Sequence, residues 1–587
     1  MKFLAYLAAG LAFIPELGLE AATYQVAQQN SKANDDAAGT AQQPWKTITK
    51  AAQKVGSGDI VVIHGGVYRE EVLIKNNGTA QAPIRFEAAP GDRVLVTGAD
   101  RITDWRKADD TRPIYGVAWP YRFIGWNRSM THPDDEYHSI IGRCEQVVAE
   151  GYLLHQATAA AQMGPGTFFP DVDHQKLLVW DAGSRDLNDV YIEASVRQQV
   201  LRVDGDYVQV RGLRFRYAAN MAQHGAILLA GSHDTLEDCI VEEMNASGAG
   251  FVGPDAVVRR CVFRDNGQLG FGGTHAHRLL FTECLVENNN TKAFSRGWEA
   301  GGDKLVLSRD AVIEKSRFLR NRGSGIWFDI GNENCTVRQC LIADNEDAGI
   351  FDEISYGMHA HDNVIVGNGF AETPGAWGAQ AGICVSSSPN SVIERNIIVE
   401  NREGFDFREQ DRTTQTIDGG AERSVWNHDE LIGHNMIGLN RDAQVWGWFD
   451  NRDGRQWPAS SKLTKPASVT ISGAGNIAAQ EIAKDSTGQP HGLTLETLGL
   501  HFEKNIYFAA TGERWFEWGP TWRRHKSYPG LTDFRSDLGI DAGSQAFDPG
   551  FADLLSRDFR LSAAAMASAK ENYPQGPVPG VALGVGP

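Results

Sequence analysis

The sequence predicts an all-β fold: a right-handed parallel β-helix, a solenoid, with an inserted β subdomain and an N-terminal capping helix. Three observations carry this expectation. A repeat of 22 to 24 residues recurs through the middle of the chain, two apolar columns keep fixed places in it, and an asparagine returns at one position. With Cys239, Cys261, Cys284, Ser316, Cys340, Asn363, Asn396 and Asn435 as anchors, the residue three places earlier is apolar in every copy, from Leu236 to Ile432. The residue two places later is apolar as well, from Val241 to Ile437. Five places after the anchor stand Met244, Asn266, Asn289, Asn321, Asn345, Asn368, Asn401 and Asn440. Short β-branched runs broken by Asn and Gly are strand text, without the 3.6-residue spacing of a helix. Stacking such coils fills a cylinder with the apolar columns and lines up the asparagines at one turn. A leucine-rich repeat has a similar period, but its leucine consensus is absent.

Composition agrees with a packed, turn-rich chain. Of 587 residues, 42% are hydrophobic and 63 are glycine, enough apolar side chains for a large core. The net charge of −18 argues against nucleic acid or an anionic membrane as the main partner.

Residues 1–22 read as a signal peptide: Lys2, the apolar run Phe3 to Ile14, then Ala21 and Ala22. The run is short for a membrane span, so a periplasmic or secreted protein with no membrane contact after cleavage is expected. Residues 23–106 hold the cap and first coils. QPWKTITKAAQKV at 43–55 reads as an amphipathic helix that plugs the open end. Residues 107–200 break the period with strand-like pieces, the expected inserted β subdomain. Residues 201–440 form the central β-helix with the site. Residues 441–587 comprise an excursion at 441–500, a return to strand text, and a Pro/Gly tail after Tyr573. Most of the seven cysteines fall at repeat positions and none forms a CxxC pair, so buried free thiols are expected rather than a zinc site.

The inside of such a cylinder is packed, so a site must use outward polar groups. The 24-residue offset from Ser316 to Cys340 carries Asp329 onto Glu353. Two outward carboxylates on neighbouring strands stand about 4.8 Å apart. Retaining glycosidases need about 5–5.5 Å between their acids, and inverting enzymes about 6.5–9.5 Å. Alternation also turns Asp352 inward, against the packed interior. The insertion GWEAGGDK places Trp298, Glu299, Asp303 and Lys304 one coil earlier. An outward Trp298 or Trp327 beside acids would suit a sugar face. The pairs His275/His277 and His359/His361 each put two imidazoles on one strand face without a third ligand, so no metal or cofactor is predicted. Stacked acids also occur in calcium-binding solenoids.

The stretches GWEAGGDK and GSGIWFDIGNENCTVRQCLIADNEDAGIFDEISYG resemble the catalytic core of glycoside hydrolase family 120, the β-helix β-xylosidases. The resemblance covers about residues 24–105 and 200–410. It implies that Asp329, in Ile326-Trp327-Phe328-Asp329, is the nucleophile. It implies that Glu353, followed by Ile354, Ser355 and Tyr356, is the acid/base, with Glu299 and Lys304 on the sugar. Trp298 stands where that family carries histidine, which leaves the sugar itself open. Three functions follow from these observations: a retaining hydrolase of plant or algal saccharides, a polysaccharide lyase using Arg296, Lys304, Tyr356 or His359, and a non-catalytic glycan-binding β-helix.

Overall fold

The computed structural model describes residues 21–124, 142–372, 380–409, 412–420, 422–449, 499–509, 515–520, 526–538 and 540–573. Three long sheets of 13 strands each run along the molecule, and each coil between the two ends gives one strand to each. Thr235–Glu237, Ile240–Glu242 and Ser247–Phe251 form one such coil, in the first, second and third sheets. Neighbouring coils pair in parallel, so Leu236 lies beside Val258 and Val258 beside Phe281. The chain is a right-handed parallel β-helix. Both apolar columns are buried in one continuous core.

The corners explain the asparagines. Between the second and third sheets each coil bends at a left-handed residue, such as Asp265, Asn288, Arg320 and Asp344. The next residue turns inward at a place where strand carbonyls lack partners. Asparagine fits because its amide both donates and accepts. Asn345 Nδ2 donates to Phe318 O at 3.0 Å and to Asn368 Oδ1 at 2.9 Å, while its Oδ1 accepts from Asn321 Nδ2 at 2.9 Å. The ladder runs from Asn266 to Asn440 and ends on Gln444. At Met244, the exception in the column, the backbone N–H still donates to Asn266 Oδ1 at 3.2 Å. The anchor column forms a second ladder, in which Asn363, Asn396, Asn435 and Asn505 repeat the pattern.

The N-terminal end is closed by the helix Ile48–Lys54, whose Ile48, Ala51 and Ala52 join the core. It is shorter than the amphipathic text because Thr47 caps it, its hydroxyl accepting from Lys50 N at 3.1 Å. Between a second-sheet strand, Val94–Thr97, and a third-sheet strand, Leu201–Val203, the chain leaves the coil. It builds a four-stranded and a five-stranded sheet there, starting at Ala99, around Trp105, Trp119, Phe168 and Leu177. At the other end, the hairpin Phe551–Asp553/Asp558–Leu561 and the helix Ala563–Ala569 cover outward Val364, Ile397 and Met436 of the second sheet. All seven cysteines are buried and none forms a disulfide. The expected signal peptide, most of the 441–500 excursion and the tail after Tyr573 lie outside the described residues. Among those described, no helix is long and apolar enough to cross a membrane.

Candidate active site

The site lies on the outer face of the third sheet, on the strands Gly301–Val306, Ile326–Asp329, Ile350–Glu353, Ala381–Ser386 and Glu403–Glu409. Leu305, Ile326, Phe328, Ile350 and Phe407 point into the core, so the residues between them point out. Trp327 lies beside Phe351 and Phe328 beside Asp352, a register that puts Asp329 beside Glu353. Glu353 in turn lies beside Ser386, and Ser386 beside Arg408. Each acid is the last residue of its strand, and Ile330 and Ile354 after them adopt the left-handed conformation that turns the chain away. The two carboxylates therefore stand at one rim of the sheet, one coil apart.

Asp329 is held on both oxygens. Its Oδ1 accepts from Ile330 N at 2.8 Å and its Oδ2 pairs with Lys304 Nζ at 2.8 Å. Lys304 also reaches Glu299 at 3.5 Å and lies 4.1 Å above the Trp327 ring. Glu353 is held on one oxygen. Its Oε1 meets Arg412 Nη1 at 2.6 Å and Arg408 Nη2 at 3.6 Å. Arg408 is fixed in turn by Ser386 Oγ at 3.0 Å and by the Phe351 ring. Burial, helped by the Glu353 charge, raises the Asp329 pKa, with Lys304 opposing. Burial also raises that of Glu299. For Lys304 burial acts downward, but Asp329 and Glu299 outweigh it and the amine is raised. Three acids and three cations thus share one buried polar patch.

Of the residues singled out from the sequence, Glu299, Lys304, Trp327, Asp329 and Glu353 come together. Trp327 points outward as alternation requires, yet it is only 4% exposed. It is sandwiched between Lys304 and Phe351, whose ring stacks on it at 5.3 Å. Lys304 and Phe351 thus cover its ring. Trp298 packs beside Phe294, against a small cluster with Ala222 and Ala300. Tyr356 stands in the turn after Glu353, near Arg423 and Glu333. Asp303 faces inward and is fully buried. His359 and His361 belong to the first sheet, where His359 meets Glu394, and so stand apart from this face. Among the described residues no three His, Cys, Asp or Glu side chains gather as a metal site. Arg408, Arg412 and Gln268, which donates to Glu299 O at 2.8 Å, are additions from the structure.

A family model described as "Right handed beta helix region" matches residues 200–373. A solved structure described as the complex of XylC with xylose superposes with a TM-score of 0.63 at 18% identity, covering 90% of this chain and 87% of that one. A mannuronic-acid-specific polysaccharide family 6 lyase from human gut microbiota gives a TM-score of 0.45 at 11% identity, covering 94% of each chain. Pectate lyase PEL9 of Emericella nidulans is 33% identical over 69 residues, 11% of this chain and 17% of that protein. The uncharacterized protein YwoF of Bacillus subtilis is 32% identical over 65 residues, 11% of this chain and 14% of its own. The chain thus aligns with less than a fifth of either curated relative. The XylC likeness shows a shared fold, and the descriptions of these proteins name a xylose complex and two polysaccharide lyases.

Proposed function

We propose that the protein is an exported retaining glycoside hydrolase acting on a plant or algal saccharide. The observation that carries this reading is the pair Asp329 and Glu353, last residues of paired strands in adjacent coils. A strand spacing of about 4.8 Å suits a nucleophile and an acid/base on one side of a glycosidic bond. In this reading Asp329, aligned through both oxygens, attacks the anomeric carbon with its lone pair. The bond to the leaving oxygen breaks as Glu353 gives that oxygen its proton. Glu353 then takes a proton from water, whose oxygen displaces Asp329 and releases the sugar. Lys304 compensates the Asp329 charge before attack, and Lys304 and Glu299 hydrogen-bond sugar hydroxyls. XylC is described with xylose, which makes a pentoside the first substrate to try.

One observation favours a lyase as the second reading. Lys304, Arg408 and Arg412 form a cationic set of the kind that neutralises a uronate while a base removes the α-proton.

The test is turnover of aryl xylosides, fucosides, arabinosides and galactosides by wild type and Asp329→Ala. Cleavage of one glycoside, an inactive variant, and rescue by azide giving a product of inverted configuration are the expected results. An unsaturated product from a uronate polymer, with no glycoside cleaved, replaces this reading with the lyase. Sugar binding that survives Asp329→Asn, with no turnover of either kind by wild type, leaves a glycan-binding β-helix.

A further inference from the structure

After the strand Glu403–Glu409 the chain forms a small hairpin, Arg412–Thr414 paired antiparallel with Arg423–Val425. The register sets Arg412 opposite Val425 and Thr414 opposite Arg423. These four residues therefore share one face of the hairpin. Thr414 and Val425 are buried, so this is the face turned onto the protein. The hairpin is seated on the corner that follows Asp329. A Cβ on Gly331 would stand 2.2 Å from Gln415 O, and Gly331 has a φ of +65°. Only glycine lets the hairpin come this close.

From that docked face Arg412 reaches Glu353. The two guanidiniums that touch this carboxylate converge on the same atom, Oε1, with Arg412 at 2.6 Å and Arg408 at 3.6 Å. Arg408 is built into the sheet, its side chain 5% exposed, whereas that of Arg412 is 31% exposed. A carboxyl that acts as acid and then as base must present one fixed oxygen to the leaving group. A guanidinium hydrogen bond to the other oxygen fixes the rotation of the carboxyl plane.

We infer that Arg412 is a positioning residue for the acid/base: by holding Glu353 through Oε1 it leaves Oε2 to carry the transferred proton. This rests on the glycosidase reading, and the hairpin is then part of the catalytic apparatus although it lies outside the repeat. Arg412 moves no proton itself and makes no covalent bond.

The experiment measures kcat and kcat/KM for aryl glycosides of the sugar found above, with leaving groups from dinitrophenol, which departs without help, to phenol, which needs a proton. Wild type, Arg412→Gln, Arg412→Lys and Gly331→Ala are compared, with circular dichroism to follow the fold. For Arg412→Gln the expected loss of kcat/KM, which reports the step that expels the leaving group, is about 100-fold on the phenyl glycoside, the size of effect that misplacing a catalytic group produces. The dinitrophenyl glycoside should lose about threefold or less. The plot of log kcat/KM against leaving-group pKa thus steepens, Arg412→Lys recovers part of the loss, and Gly331→Ala shows the same steepening. A loss equal across all leaving groups, or no loss, overturns the role of Arg412 and leaves the hydrolase reading intact. No turnover of any glycoside by wild type overturns the hydrolase reading and this inference with it.

Discussion

Replacing Asp352 with asparagine should make the protein more stable than wild type at alkaline pH and less stable than wild type below about pH 4. Asp352 lies inside the cylinder, fully buried, between Phe328 and Val385 of the adjoining coils. Its Oδ2 accepts from Ser391 Oγ at 2.9 Å and its Oδ1 has no partner. Burial pushes its pKa from 3.8 to about 7, with the Ser391 hydroxyl opposing. Because the folded value is raised, the contribution to stability is intact below about pH 4 and is lost as pH rises towards 7. Three pH units at about 1.36 kcal/mol each make a loss of about 4 kcal/mol above pH 7. Between pH 5 and pH 8 the loss grows by about 2.5 kcal/mol. Asparagine keeps the shape and cannot ionise, but its amide N–H groups lack acceptors there, at a cost of about 1–3 kcal/mol. Equilibrium urea unfolding of Asp352→Asn and wild type at pH 5 and pH 8 reads the difference. The stability of the variant relative to wild type should rise by about 2.5 kcal/mol from the lower pH to the higher. A relative stability independent of pH would refute the reasoning, because it would mean that Asp352 does not ionise in this range in the folded chain.

Two further outcomes follow from the same geometry. Lys304→Met removes the cation that opposes the raised Asp329 pKa. The acidic limb of the kcat/KM profile should therefore move up by about 1–3 pH units; a limb that stays in place would separate Asp329 from that titration. Asn345→Ala strips partners from Asn321 N, Asn321 Nδ2 and Phe318 O. Three buried groups at about 1–3 kcal/mol each give a loss of about 3–9 kcal/mol, read by the same unfolding experiment, and a loss under about 1 kcal/mol would show that the ladder relaxes around the gap.

The coil was legible in the sequence because its corners make the same demand each time. Between the second and third sheets a left-handed residue is followed by an inward asparagine in each coil from Asn266 to Asn440, so the chemistry repeats with the geometry. The acids were legible because the coils carrying Asp329 and Glu353 adjoin without an insertion. Arg408 belongs to the same column, but the offset from Glu353 to Ser386 is 33 residues and from Ser386 to Arg408 it is 22. An even period stops pointing at it after Glu353. Arg412 carries no periodic signal, since its hairpin is an addition to the repeat. Trp327 shows a different limit: alternation tells which way a side chain points, not what lies on top of it. Its cover is Lys304, reaching over from the preceding coil towards Asp329.

The β-helix also constrains what a pair of acids on it can do. The rise between coils is the strand spacing, about 4.8 Å, so the backbone positions of one column come only at whole multiples of that distance. One step gives the separation of a retaining pair; two steps, about 9.6 Å, reach the upper edge of the range in which a water fits between acid and base. In this column the second step from Asp329 is Ser386 and the third is Arg408, so its two acids are one step apart. Placing each acid immediately before a left-handed corner sets both at the rim, where the sheet no longer covers one side of the carboxylate. On the glycosidase reading, stereochemistry on such a scaffold is then a matter of counting coils.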